Sequence, residues 1–367
     1  MAKEQELQIA ILGLGLMGGS LGLALVRAGY TVTGWDQNPE VIREAYQSGA
    51  INRMPDDFQD AITESSVIFI ATPVDSILAA IESCLPYARP GTIFSDLGSI
   101  KKCVLEGVFS LLPSLYHFVG GHPMTGSEQH GLRAADPFLF QNAAYIIIED
   151  SRTPLEAESE IIKLAESVGS QIIKLSADEH DRIVGMVSHL PHLIAATLAK
   201  TAGDAEAAYP GTLSLAAGGF RDTTRIAMGS PEIWHGIILG NINQVLTAID
   251  AFQNELNHLK KILTSSAKNQ LEFFLREARE TRFQIPAKNK GFLSLLHEMV
   301  VTIEDRPGTI VEVLKYLADS GLNIKDIEIL RVREGSGGTL RLALESDEAV
   351  DQGVKVLETH GFKVKKR

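Results

Sequence analysis

Residues 117–131 read HFVGGHPMTGSEQHG, with histidines at 117, 122 and 130 set around a glycine pair. Imidazoles at this density suggest two kinds of chemistry: three converging rings could ligate a metal, or one well-placed ring could move a proton near neutral pH. A second reactive cluster lies in VSHLPHL (187–193), where His189 and His192 flank Pro191 on what reads as a bent helix. Shortly after comes GGFRDTTR (218–225), which brings Arg221, Asp222 and Arg225, followed by Trp234. Guanidinium groups offer a fixed fork for a carboxylate. The plainer reading is satisfied core histidines, charges on a helix surface and a core tryptophan.

Choosing between these readings requires the elements that hold the residues. Leu7 to Leu12 is an apolar, β-branched run that predicts a buried strand. Gly13-Leu14-Gly15-Leu16-Met17-Gly18 follows as G-x-G-x-x-G and opens a helix to about Ala28. A second strand, Thr31 to Trp35, ends at Asp36, 18 positions after Gly18. In that context the glycines predict a dinucleotide site. Gly13 permits the tight turn, Gly15 opens the first N–H groups of the helix, at Leu16 and Met17, to a pyrophosphate, and Gly18 lets helix and strand pack closely. Asp36 would hydrogen-bond the adenosine ribose and repel a 2′-phosphate, favouring NAD over NADP; a solvated turn aspartate before Asn38-Pro39 is its plainer alternative.

The alternation continues through VIFIA (67–71), TIFSD (92–96), YHFVG (116–120), AYIIIE (144–149) and QIIKL (171–175), which predicts a mostly parallel, doubly wound α/β sheet. Ligands of such sheets bind beyond the carboxyl ends of strands. Those ends carry Gly13, Asp36, Thr72-Pro73, Asp96 to Ser99, and Gly120-Gly121-His122. His122 and Ser99 therefore face the cofactor crevice, whereas His117 begins its strand on the opposite rim and His130 lies outside the crevice. Histidines spread over two rims do not make a metal site. A general base beside a nicotinamide fits better, because an alcohol that loses hydride must also lose its proton. Such a base would titrate near neutrality, so activity should rise with pH there, and Ser99 could hydrogen-bond the same hydroxyl.

The 367 residues predict several domains: a Rossmann-type domain over 1–177, an all-helical substrate and dimerisation domain over 178–283 that includes one helix from Pro231 to Leu263, a linker over 284–296, and a β-α-β-β-α-β module over 297–367. The net charge of −12 argues against nucleic acid and requires a local cationic pocket for any anionic substrate. Two cysteines, Cys84 and Cys103, without a C-x-x-C spacing suggest a reducing, cytoplasmic setting. The uncharged run Ile9–Val26 has the length of a membrane span, yet its five glycines and the strand that follows fit a βαβ unit.

GLGLMGGSLGLAL, DLGSIKK, GGHPMTGSEQHG, SHLPH and GGFRDTTR, in this order, resemble prephenate dehydrogenase, the bacterial TyrA-type enzyme of tyrosine biosynthesis, over roughly residues 7–290. EDRPGTI and GLNIKDIEI resemble an ACT domain, a regulatory fold that only some family members carry. The resemblance implies that His122 and Ser99 are catalytic and that His192, Arg225, Ser127, Glu128 and Trp234 line the substrate pocket. Trp234 matches an aromatic that the other subunit of a homodimer can supply. It further implies NAD as cofactor and prephenate, or its aminated relative arogenate, as substrate. In the terminal module, Asp305, Arg306, Gly308 and Asn323, the last at the start of a strand, are candidates for holding an amino-acid effector such as tyrosine. A β-hydroxyacid dehydrogenase, whose glycine loop is similar, and a non-catalytic NAD-binding sensor are the competing readings.

Overall fold

Runs of aliphatic residues without polar alternation form strands when both faces can be buried. The computed structural model describes residues 7–126, 129–285, 297–304, 306–333 and 337–366, and the chain divides into two units, 1–282 and 283–367. In the first unit β1 (Gln8–Leu12), β2 (Thr31–Trp35), β3 (Val67–Ile70), β4 (Ile93–Asp96) and β5 (His117–Val119) form a parallel sheet in the order β2-β1-β3-β4-β5. The helices α1 (Leu16–Arg27), α2 (Pro39–Ser48), α3 (Phe58–Thr63), α4 (Ile77–Cys84) and α5 (Lys102–Leu111) fall between the strands.

Strand period sorts the core. Ile9, Ile11, Val67 and Phe69 pack on one face with Leu21 and Leu25 of α1, while Ala10, Leu12, Ile68 and Ile70 pack on the other with Ile81 of α4 and Val104 of α5. The sheet is thus doubly wound, as the sequence predicts. Its register sets Leu12 beside Trp35 and Ile70, and Ile70 beside Asp96, so the carboxyl ends form one edge. The order reverses between β1 and β3, where Gly13 and Thr72 meet. The run Ile9–Val26 accordingly resolves into β1, the glycine turn and most of α1.

Beyond β5 the structure departs from one continuous sheet. β6 (Gly121–Pro123), β7 (Ala144–Ile148) and β8 (Gln171–Leu175) form a second sheet in which β6 runs antiparallel to β7 and β7 parallel to β8. The glycine pair causes this: a Cβ on Gly121 would sit 2.8 Å from the Asp96 carbonyl oxygen, so only glycine lets the chain turn there across the end of β4. α6 (Leu155–Ser167) adds Ile161 and Leu164 to the α1 side of the core.

From Ala177 the unit is helical. α7 (Ala177–Val184) begins with a capping box between Ser176 and Glu179, and a π-helical turn, Gly185–His189, joins it to α8 (Leu190–Ala208). That turn lies just before Pro191 of SHLPH. Residues 177–208 together are long and apolar enough to cross a membrane by length and composition, but this run buries His180, Asp181, His189 and His192 within the unit. α9 (Gly218–Thr224), α10 (Pro231–Gly240), α11 (Ile242–Thr264) and α12 (Lys268–Gln284) follow. The single helix expected from Pro231 to Leu263 is broken at Asn241, whose buried side chain donates to the Asp181 carbonyl oxygen at 2.8 Å.

The second unit has the predicted β-α-β-β-α-β order: β9 (His297–Ile303), α13 (Thr309–Asp319), β10 (Asp326–Arg333), β11 (Gly337–Leu344), α14 (Asp347–Thr359) and β12 (Lys363–Lys366). Its antiparallel sheet runs β10-β11-β9-β12 and packs Val301, Leu340 and Leu342 against Val313, Leu317 and Leu357 of the helices. Gly308 caps α13 at φ +92° with no side-chain partner, and Arg306 pairs with Glu304 and Glu312. Asn323 is exposed and precedes β10 by three residues rather than starting it, because pairing with β11 begins only at Asp326. Asp305 and linker residues 286–296 lie outside the described residues.

Candidate active site

The glycine turn and the ends of β1, β2 and β3 enclose a cavity of about 650 Å³ lined by Gly13, Gly15, Asp36, Phe58, Thr72 and Pro73. Each glycine of the motif has its own reason. Gly13 takes φ +88° and donates its N–H to Trp35 O, and a Cβ on Gly18 would lie 1.9 Å from Gly13 O. A Cβ on Gly15, in contrast, would meet nothing within 4 Å, so space opens where α1 begins. Gly15 caps α1 without a side-chain hydrogen bond, leaving the first-turn N–H groups, from Leu16 and Met17 onward, for an anion.

Asp36 Oδ2 accepts from Leu14 N at 3.0 Å and Oδ1 from Asn38 N at 3.0 Å. The carboxylate is therefore pinned to the glycine turn and is also the turn aspartate of the plainer reading, with further lone pairs open to a ribose. Thr72 Oγ1 is buried without a protein partner at the same cavity. These residues fit a dinucleotide: the α1 N-terminus would hold its pyrophosphate and Asp36 its adenosine ribose.

Past the carboxyl end of β5, two strands along from β3, His122 stands on β6, and its register partner is Ile146 of β7. Its Nδ1 lies 2.7 Å from Nε2 of His180, whose Nδ1 lies 2.8 Å from Asp181 Oδ1. Asp181 in turn accepts from Lys101 N at 2.8 Å and Lys102 N at 2.9 Å. The fully buried Lys101 ammonium contacts Asp96 and donates to Gly121 O at 2.6 Å, which ties the glycine bend to the end of β4.

Electrostatics follow from this burial. Desolvation, reinforced by His180, Lys101 and His189, pulls His122 well below the usual histidine range. Desolvation also lowers His180, although its bond to Asp181 opposes the shift. Burial pushes Asp181 upward, but its hydrogen bonds from His180, Lys102 and Lys101 outweigh that and hold it below the ordinary carboxylate range. The expectation of a base titrating near neutrality is thereby corrected: His122 stays neutral well into the acid range.

The helical elements hold a second group of histidines. His192 is buried on α8 and stacks on Trp234 of α10, ring centroids 3.6 Å apart and planes 13° apart. His189, buried in the π turn, approaches Trp234 edge-on at 6.2 Å and lies 3.3 Å from Asn241 Nδ2. His189 Nε2 and His192 Nδ1 are buried without a protein partner. Burial drives His189 down to about 4 and also lowers His192. Trp234 thus meets His192 within one chain, so this contact needs no second subunit. Arg225 ends α9 on an exposed position, as does Arg221 one turn earlier.

Of the residues singled out in the sequence, Gly13, Gly15, Asp36, Thr72 and Pro73 converge on the cavity, and His192 and Trp234 on each other. Ser99 sits half-buried on the loop from β4 that leads to Lys101, and Gly18 and Met17 pack beneath the cofactor cavity. His117 is half-buried at the first residue of β5 and His130 is exposed. Ser127 and Glu128 lie outside the described residues. Among the described residues, no group of three His, Cys, Asp or Glu is placed to hold a metal ion. His180, Asp181 and the Lys101–Asp96 pair were missed. In DEHDR (178–182) the one available signal is helical phase, which sets His180 four residues before the buried Val184.

Family models place this geometry among known proteins. The prephenate dehydrogenase nucleotide-binding domain matches residues 21–174, the prephenate dehydrogenase dimerization domain 176–277, and the ACT domain 297–359. The prephenate dehydrogenase of Bacillus subtilis is 34% identical over 346 residues, covering 93% of this chain and 92% of that protein. The crystal structure of prephenate dehydrogenase from A. aeolicus in complex with hydroxyphenyl propionate and NAD+ superposes with a TM-score of 0.70 at 29% identity, covering 77% of this chain and all of that one. Synechocystis arogenate dehydrogenase gives a TM-score of 0.67 at 26% identity over 76% of this chain and 100% of its own. The glycine-turn cavity, the buried histidine on β6 and a relative matched along nearly the whole chain agree: the chain belongs to the prephenate dehydrogenase family.

Proposed function

We propose that the chain catalyses NAD-dependent oxidative decarboxylation of prephenate to 4-hydroxyphenylpyruvate in tyrosine biosynthesis. The observation that carries this reading is His122: a neutral, buried imidazole just past the carboxyl end of β5, held by His180, in the same unit as the dinucleotide cavity. NAD, when bound, supplies the hydride acceptor. His122 takes the proton of the ring hydroxyl as hydride leaves the same carbon and the C–O bond becomes a carbonyl. Loss of CO2 then sends the bonding pair through the ring to that oxygen, and His122 returns its proton to form the phenol. No net proton is consumed, so the base must be weak enough to give the proton back. Ser99 orients the hydroxyl, while His192 and Arg225 hold carboxylates against the unfavourable net charge of −12. His192 Nδ1, buried without a protein partner, leaves a polar atom open to a substrate group. Ser127 and Glu128 complete the pocket in this reading.

NADH formation with prephenate and with arogenate, compared by kcat/KM, tests the assignment; turnover of neither would overturn it, and a preference for arogenate would move the substrate to its aminated relative. Residues 178–283 are proposed to carry a homodimer contact, supported by the exposed Leu246, Leu256, Phe273 and Leu275 on α11 and α12 and by the dimerization model matching this region. A cytoplasmic location accords with this chemistry. The ACT module is proposed to bind tyrosine at the start of α13, which no side chain caps, beside Arg306 and Gly308, with Asp305 and Asn323 as further candidates from the resemblance. Truncation after Phe283 should leave activity and blunt inhibition by tyrosine. Equal inhibition of both forms, competitive with prephenate, would place tyrosine in the active site instead.

A further inference from the structure

We propose that His180, anchored by Asp181, is the positioning residue that fixes His122 in the one tautomer able to accept the substrate's proton. The proposal rests on the reading of His122 as the base. A carboxylate can only accept, so the 2.8 Å contact from Asp181 Oδ1 assigns the N–H of His180 to Nδ1. The neutral ring then presents Nε2 as a lone pair. His122 Nδ1, 2.7 Å away, must be the donor, which leaves His122 Nε2 unprotonated for the substrate hydroxyl. The opposite tautomer of His122 would oppose two lone pairs at that distance and would offer the substrate a donor. The rings meet edge-on rather than stacked, with planes 68° apart, which is compatible with an N–H···N bond.

Asp181 is itself immobilised. It accepts from two backbone N–H groups at the start of α5, and its carbonyl oxygen accepts from Asn241 between α10 and α11. Three parts of the unit therefore fix one imidazole, and both His180 and Asp181 are almost fully buried. When the substrate O–H bond breaks, the proton forms an N–H bond at His122 Nε2 while the Nδ1 proton stays in its bond to His180. Return of the proton to the phenolate oxygen restores the starting tautomer.

Lys101 from the loop after β4, His180 from α7 and His189 from the π turn face His122; Asp96 from β4 and Asp181 from α7 face His180, and Tyr145 from β7 lies against Gly121. Lys101, His180 and His189 oppose a charge on His122, whereas Asp181 and Asp96 favour one on His180.

The test compares His180→Leu, which removes the acceptor, with His180→Gln, whose amide oxygen can replace Nε2. Leucine should lower kcat roughly 10²- to 10⁴-fold, with KM for prephenate and NAD affinity within about threefold of wild type. Glutamine should recover at least about tenfold of that loss and move the acid limb of kcat/KM toward neutral pH, since one opposing neighbour is gone. Wild-type kcat in His180→Leu, or equal losses in both variants, overturns the proposal. If the leucine variant does not fold, the imidazole tautomer of His122, read by long-range ¹H–¹⁵N correlation in the wild-type protein at pH 7.5, decides: protonated Nδ1 upholds the proposal and protonated Nε2 sinks it. His122→Asn is measured alongside. An active asparagine variant refutes the base itself, whereas an inactive one beside fully active His180 variants refutes only the relay.

Discussion

Replacing Gly15 with alanine should separate cofactor binding from folding. Gly15 has φ −76° and ψ −155°, a backbone open to any residue, and an added Cβ meets no atom within 4 Å. The folded state should lose only about 0.5–1 kcal/mol, the difference between glycine and alanine at a helix N-cap. The new methyl, however, stands in the cavity over the first N–H groups of α1. Losing one or two charge-assisted hydrogen bonds to a pyrophosphate costs roughly 2–4 kcal/mol, or about 30- to 1000-fold in NAD affinity. Gly18→Ala is the contrasting control. Its Cβ would lie 1.9 Å from Gly13 O and 3.0 Å from Ala71 Cβ, so the helix must move off the sheet and stability should fall by about 1–3 kcal/mol. Calorimetric titration with NAD and thermal unfolding of both variants provide the two readouts. A folded Gly15→Ala that binds NAD within threefold of wild type would refute the placement of the pyrophosphate over α1.

The wild-type enzyme should prefer NAD to NADP by at least about tenfold in kcat/KM, equivalent to roughly 1.4 kcal/mol, and Asp36→Ala should erase most of that preference; equal use of both cofactors by wild type would dismiss Asp36 as the discriminator. Arg225→Ala should raise KM for prephenate by about 30- to 1000-fold, from roughly 2–4 kcal/mol of lost charge-assisted pairing, while NAD affinity holds; an unchanged KM would shift the clamp to Arg221. kcat/KM should be flat from pH 6.5 to 8, with its acid limb at lower pH, because His122 is held well below the ordinary value of 6.5; a limb centred at 7 or above contradicts its burial. His122, His180 and His189 all have lowered folded values, so the unfolded chain binds more protons as pH drops below 6.5, and stability is lost from there toward the His189 value of about 4. The unfolding midpoint should therefore fall between pH 7 and 4.5, and a constant midpoint would contradict the buried neutral histidines.

The readability of this chain depended on how local each signal is. The strands of the parallel sheet are buried on both faces, so their apolar runs stand out, and the cofactor turn is encoded within Gly13 to Asp36. The second sheet was not legible, because β6 is three residues long and owes its direction to a close approach between Gly121 and Asp96 O, a contact spanning 25 positions. The helix break at Asn241 had a local signal, since Gly240-Asn241 is a helix-stop pairing, and a partner on α7, 60 positions away, then holds the asparagine in place.

The same distinction separates His122 from His180. His122 could be found because a strand end in a parallel sheet faces a known place, whatever the rest of the chain does. His180 lies in a run of acidic and basic residues at a capped helix start, and such a run reads as a solvated surface. Burial reverses that meaning. Once α7 packs against the loop after β4, Asp181 meets two backbone N–H groups, His180 meets Asp181, and the net charge at the centre stays small. A buried carboxylate with those donors needs no further cation. Lys101 is therefore free to neutralise Asp96 at the end of β4, and the two arrangements meet at Gly121 and His122. Exchanging either carboxylate for its amide should therefore affect His122 differently. Asp181→Asn loosens the tautomer and lowers kcat. Asp96→Asn leaves a buried ammonium uncompensated beside Gly121, which should first appear as lost stability, by roughly 3–5 kcal/mol. If Asp96→Asn instead kept wild-type stability while Asp181→Asn kept wild-type kcat, neither buried carboxylate would have the task its contacts imply.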